Sequence, residues 1–228
     1  MPATPTLREP RVRLGGAGAG VPPSDADGGD GRRGPWSDGS GAGHAASAAT
    51  IGMWLFVGAV VLLFASFTST LVVRRAEADW RLGPMPSLLW VNTAVLVASS
   101  LALEWARGRG RRGDLRRLGT GLAGATALGV VFLTGQWTAW RQLLAGGVSL
   151  ATGPHSAFFY LLTGTHALHV AGGIAALAYA VWRVRHAARV QAAAGVAPAR
   201  APGVVAPVAI YWHFVDVLWW YVLVVLFV

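Results

Sequence analysis

The chain has 228 residues, 54% apolar and 13% charged, with a formal charge of +9 and no cysteine. Without a thiol, disulfides, thiolate nucleophiles and cysteine-ligated metal or haem sites are excluded. Every permanently basic side chain is an arginine, and the arginines gather in short links between long apolar blocks. Membrane topology accounts for that arrangement without a nucleic acid partner.

Residues 1–47 are rich in Gly, Pro, Ala, Ser and Asp and show no apolar periodicity, so they read as a disordered tail. No continuous apolar stretch precedes Ile51, and a signal peptide is not expected. Five apolar segments follow, at about 51–73, 88–106, 118–140, 156–182 and 207–228. The first holds no charged residue and exceeds the ~20 residues that cross a hydrocarbon core. The fold class predicted is therefore all-α, an integral membrane bundle of five transmembrane helices over residues 48–228 behind a disordered N-terminal tail. The link after the second segment carries six arginines against Asp114, and the link after the fourth carries four with no acid. By the positive-inside rule both face the cytoplasm, which places the N-terminus there and the C-terminus outside.

Gly108, Gly110 and Gly113 match the spacing of a dinucleotide fingerprint, but they follow a membrane helix instead of a strand, and chance explains them. Small residues recur every four positions at Gly121, Ala125 and Gly129. The fourth segment repeats that spacing at Gly164, Leu168, Gly172, Ala176 and Ala180, with Leu168 its one large member. Such stripes let helix backbones approach closely in lipid. Trp80, Trp137, Trp140 and Trp182 fall near segment ends, as interface anchors do.

Ionisable side chains at membrane depth carry the functional question. His213 and Asp216 are three apart and share a helix face, and a buried acid there costs at least ~2.5 kcal/mol. That face is expected to meet protein. His166 and His169 repeat the spacing in the fourth segment, and an antiparallel neighbour brings them to the depth of His213 and Asp216, where interhelical hydrogen bonds of ~0.6–2 kcal/mol are natural. Three readings remain open. The groups form a buried polar lock that fixes register and meets a partner or lipid headgroup, a proton or ion path, or a metal site built from two imidazoles and a carboxylate. Asn92 and Gln136 are expected to hydrogen-bond between helices, and Glu104 to form a solvated ion pair beside Arg107.

The run Tyr211-Trp212-His213-Phe214-Val215-Asp216-Val217-Leu218-Trp219 closely resembles the last-helix signature of cytochrome c oxidase subunit III. The stretch Thr163-Gly164-Thr165-His166-Ala167-Leu168-His169-Val170 resembles the preceding helix of that family. Gly52-Met53-Trp54-Leu55-Phe56 and Leu89-Trp90-Val91-Asn92-Thr93-Ala94-Val95-Leu96 are similar to two earlier ones, in the family's order. The resemblance implies a non-catalytic core subunit of a bacterial aerobic respiratory haem-copper oxidase, in which oxygen reduction is coupled to proton pumping. Such a subunit packs on subunit I, holds phospholipids and supports proton uptake in the bacterial cell membrane. It implies no haem, copper or other metal in this chain, those groups residing in subunits I and II, and no catalytic residue. His166, His169, His213, Asp216, Asn92, Gln136 and Trp212 are then structural, lipid or partner contacts.

Two departures stand out. Many members have seven helices, and this chain resembles a shorter form lacking the first two. Where the family commonly has a Glu eight positions after the Gly at 52, this chain has Val60, so a proton role for that carboxylate does not carry over. The rival readings are the same scaffold in a quinol oxidase or nitric oxide reductase, and a stand-alone ion or proton transporter. The segments lack the inverted symmetry common in transporters.

Overall fold

The structure, a computed structural model, describes residues 40–77, 87–195 and 200–227, with side chains from residue 48 onward. The described residues form five helices: α1 (Ser40–Arg75), α2 (Leu88–Arg111), α3 (Leu115–Ala145), α4 (Pro154–Ala194) and α5 (Val205–Phe227). All five are long and apolar enough to cross a membrane. α5 alone, with 23 residues at ~1.5 Å each, exceeds the ~30 Å hydrocarbon thickness.

The boundaries differ from the apolar segments for local reasons. α1 begins at Ser40, ahead of the apolar run at Ile51, and the rest of the expected tail, residues 1–39, lies outside the described residues. Trp80 lies outside them too. α4 continues past Trp182, where a polar link was expected. Residues 183–194 contain neither Gly nor Pro and are rich in Ala and Arg, which are strong helix formers. The helix stops only at Gly195, whose left-handed φ of 64° suits glycine. Between α2 and α3, Gly113 turns the chain at φ 79°, and the Asp114 carboxylate accepts the Arg117 amide at 2.9 Å to cap α3. Gly108 and Gly110 lie in the last turns of α2, so the apparent dinucleotide fingerprint is a helix end.

Consecutive helices run antiparallel, and α5 closes back on α2, so α2 to α5 make a four-helix ring. α1 lies outside that ring, against α4 and α5. It presents Val57, Val60, Phe64 and Leu71 inward, while Leu55, Leu62 and Val73 are 70% or more exposed. Polytopic helices turn such apolar surface towards lipid, so no aqueous amphipathicity is needed. Val60 is 4% exposed and belongs to this seam.

The α3 stripe packs as expected: Gly121 abuts Ala106 on α2, and Gly129 abuts Trp212 on α5. The α4 stripe does not. Leu168 is exposed, Gly164 has open space beyond its Cα, and the buried line is Thr163, His166, Val170, Gly173, Leu177, Ala180 and Val184. The stripe is out of phase with the packed face, because Gly164, Leu168, Gly172 and Ala176 sit beside the face that the tryptophans of α5 select, and only Ala180 of the stripe is fully buried. At the opposite end of the bundle the Arg75 guanidinium donates to the Val225 carbonyl at 3.0 Å, satisfying an orphan acceptor of α5.

Candidate functional site

Three tryptophans tie the ring together. Trp212 Nε1 on α5 donates to Ser99 Oγ on α2 at 3.1 Å, and Ser99 donates on to the Ala125 carbonyl of α3 at 2.9 Å. Two turns further along, Trp219 Nε1 donates to Thr93 Oγ1 at 2.9 Å. Trp140 Nε1 on α3 reaches Thr163 Oγ1 on α4 at 3.1 Å. Trp140 is thus a half-buried interhelical link, not the interface anchor expected, whereas Trp137 and Trp182 are about 60% exposed and do face outward. The Trp212 ring fills the hollow left by two glycines: a Cβ on Gly129 would lie 2.7 Å, and one on Gly173 2.9 Å, from its atoms.

The charged residues form a separate group on the face shared by α2 and α5. Glu104 accepts a charge-assisted hydrogen bond from the Arg107 guanidinium, and Arg111 stands 3.8 Å away. His213 Nε2 donates to the same Glu104 carboxylate at 2.7 Å. The Glu104 side chain is 42% and His213 34% exposed, so this network lies at the rim of the ring. Asp216, a turn along α5, faces the Ser100 hydroxyl and the His213 ring, and its buried Oδ1 has no hydrogen-bond partner among the described residues. The Ser100 hydroxyl likewise stops short of hydrogen-bond geometry.

The two histidines of α4 go elsewhere. His166 is fully buried between the rings of Trp219 (centroids 4.9 Å) and Phe132 (5.8 Å), and neither ring nitrogen has a partner among the described residues. His169 turns towards α1, packing on Phe64 at 5.8 Å, while its Nδ1 meets the Thr165 carbonyl at 2.7 Å. The antiparallel register does bring α4 and α5 to matching depth, since the Tyr211 hydroxyl donates to the His169 carbonyl at 3.0 Å. The expected side-chain bonds from His166 and His169 to His213 and Asp216 are nevertheless not made. Residues three apart on one helix share a face, but the α4 pair and the α5 pair look in different directions. Asn92 and Gln136 are buried in the α2–α3 seam, Asn92 against Gly135; the Asn92 Nδ2 and both Gln136 amide atoms lack partners among the described residues.

Glu104 is the partner of His213, a pairing that the linear sequence does not announce. It was visible as an acid near Arg107. Counting turns would have found the rest: Glu104 lies roughly two turns before the end of α2 and His213 roughly two turns after the start of α5, so antiparallel helices set them at one depth. Ser99 and Thr93, which receive the indole protons, carried no comparable signal.

Haem iron or copper is held by converging imidazole, thiolate or thioether donors. Here the imidazoles diverge, and among the described residues no three His, Asp or Glu side chains converge as a ligand set. The arrangement can hold helices in register and offer a charged, hydrogen-bonding face at membrane depth. It defines a class: a polytopic helical membrane protein built to associate.

The comparisons narrow that class. Residues 38–228 match the family described as cytochrome c oxidase subunit III, and the chain belongs to that family. It is similar to the probable cytochrome c oxidase subunit 3 of Nocardia farcinica, 29% identical over 75% of this chain and 82% of that protein. The cytochrome c oxidase subunit 3 of Thermostichus vulcanus is 31% identical over 74% of this chain and 81% of its own length. That of Synechocystis is also 31% identical, over 74% and 70%. The chain is accordingly a subunit III of a haem-copper oxidase, a non-catalytic member of the complex, in a family whose general role is respiration with proton pumping. None of these names favours a quinol oxidase, a nitric oxide reductase or a free-standing transporter.

Proposed function

We propose that this chain docks on subunit I through the α2–α5 face, stabilising that subunit and supporting its proton uptake without holding a redox centre. The observation that carries this is the Glu104–His213 pair with Asp216 beside it, partly exposed within apolar helices. A charged acid facing hydrocarbon costs ~2.5–3.5 kcal/mol on insertion scales, so such a face is stable only when protein covers it. Subunit II completes the core and takes electrons from cytochrome c, and haem and copper reside in subunits I and II. The apolar flank of α1 meets phospholipid. With Val60 in the α1 seam, this chain supports proton uptake by holding its neighbour, not by carrying protons itself. The arginine-rich α2–α3 turn and the end of α4 face the cytoplasm of a bacterial cell membrane, with the N-terminus, and the C-terminus lies outside.

The test is Asp216→Ala in the complex purified from native membrane. Removing a carboxylate from this face is expected to release the subunit on detergent washing while the remaining intact complex keeps its initial turnover. Full retention of the subunit with abolished initial turnover would refute the docking reading and assign Asp216 to proton transfer.

A further inference from the structure

The last turns of α4 stand clear of the bilayer. From Trp182, which faces outward near the membrane interface, to Ala192 the helix climbs ~15 Å at ~1.5 Å per residue. Each headgroup layer is only ~5–8 Å deep, half the difference between a ~30 Å core and a ~40–45 Å bilayer. The backbone at Arg189 and Ala192 therefore lies above the lipid phosphates, in water.

A groove of about 400 Å³ opens there, between the start of α3 and the end of α4. Arg116, Arg185 and Arg189 rim it, Leu115, Ala188 and Ala192 give it an apolar wall, and no acidic residue lines it. All three arginines are exposed, and among the described residues none of them meets a carboxylate. Asp114, just before α3, is engaged by Arg117 at 3.3 Å and by the α3 amide it caps. The stem of Arg185 is held in place over Gly119 of α3, where a Cβ would stand 3.5 Å from its Cγ. Arginines that only set topology need neither a fixed stem nor an apolar wall. Arg185 and Arg189 are one helical turn apart, ~6 Å along the axis. Carboxylates four apart on a partner helix have nearly the same spacing, ~5–6 Å, and each accepts two parallel N–H bonds from a planar fork.

We propose that this groove docks an acidic helical segment of a neighbouring chain of the oxidase. Two of its carboxylates, one turn apart, meet Arg185 and Arg189, with Arg116 flanking them and a small apolar side chain against Ala188 and Ala192. The order of helices in the ring sets this α3–α4 edge opposite the α2–α5 edge. The contact is thus a second one, and it does not rest on docking to subunit I through the other face.

The experiment uses the whole oxidase with p-benzoylphenylalanine in place of Ala192, irradiated in native membrane fragments before purification. Cross-linked peptides are sequenced by mass spectrometry, adducts are counted per copy of this chain, and subunit stoichiometry is measured in the same sample. The expected adduct is a peptide of another chain with two Asp or Glu residues one helical turn apart. Its yield should fall about ten-fold, the effect of ~1.4 kcal/mol, with Arg185→Gln plus Arg189→Gln. Arg183→Gln should leave it unchanged, because that guanidinium donates to the Tyr179 hydroxyl outside the groove. Raising the salt from ~0.1 M to ~1 M, which shortens screening from ~10 Å to ~3 Å, should lower the yield as well. Adducts to lipid alone, adducts to a segment without such acids, or no adduct overturn the proposal, and so does a yield that the double variant leaves unchanged. Since adducts are counted per chain, dissociation from subunit I registers separately in the stoichiometry, as a failure of docking through the α2–α5 face.

Discussion

At the scale of single residues, the burial of Trp212 decides which substitutions the bundle tolerates. Gly173 and Gly172 are neighbours in sequence with opposite surroundings. A Cβ at 173 meets the Trp212 ring at 2.9 Å, whereas one at 172 finds nothing nearer than the Tyr211 hydroxyl at 3.9 Å. Gly173→Ala should destabilise the subunit by about 1–3 kcal/mol through overpacking. Gly172→Ala should be neutral or slightly stabilising, since alanine is favoured over glycine in a helix by ~1 kcal/mol. Thermal unfolding of the two variants in one detergent reads the difference, and equal melting would show that α4 packs through the other phase. His166 makes a second case. An apolar residue of similar size replaces a buried group with no hydrogen-bond partner among the described residues, which is close to neutral. His166→Leu should therefore keep the subunit folded and in the complex, whereas His166→Ala opens a cavity costing about 2–5 kcal/mol. Loss of the subunit in the leucine variant would reveal a polar partner for the imidazole.

At the scale of elements, α2 and α5 are joined by two kinds of bond that should separate on mutation. The indole bonds from Trp212 and Trp219 to Ser99 and Thr93 lie within the ring, and the Glu104–His213 pair lies at its rim. Ser99→Ala strips a fully buried acceptor from an indole N–H and should lower the melting temperature of the isolated subunit, by about 1–3 kcal/mol of stability. Glu104→Gln should change that temperature little, because exposed pairs contribute ~0–1 kcal/mol. It should instead weaken retention in the complex, where a partner covers the face and Arg107 is left without its counter-charge. Co-purification ratios measured against haem absorbance test this, and a glutamine variant that melts early yet stays bound would place the pair in the fold instead of the interface.

At the scale of the molecule, the five spans put the arginine-lined turn and the end of α4 on one side and the α3–α4 loop on the other. The absence of cysteine makes this easy to read. A single Ala151→Cys should react with a membrane-impermeant maleimide in intact cells, and a single Ala193→Cys should react only after the membrane is opened. The reverse pattern would invert the topology. The purified chain alone should move no ions when placed in liposomes and should show no haem absorbance; transport by it would restore the transporter reading.

The number and identity of the spans, their arginine-flanked order and the family could all be read from the residues. Each depends on local hydropathy or on a contiguous motif such as Tyr211 to Trp219, and neither requires knowing which helix neighbours which. Helix rotation was not legible. Apolar residues surround every span because lipid accepts them on all sides, so periodicity does not mark the buried face, and the α4 stripe was assigned out of phase. Only packing showed that Trp212 selects Gly129 and Gly173, that His166 sits among aromatic rings, and that His213 turns to Glu104 instead of to the histidines of α4. Depth follows from counting turns along a chain, whereas direction follows from which side chains fill one another's hollows.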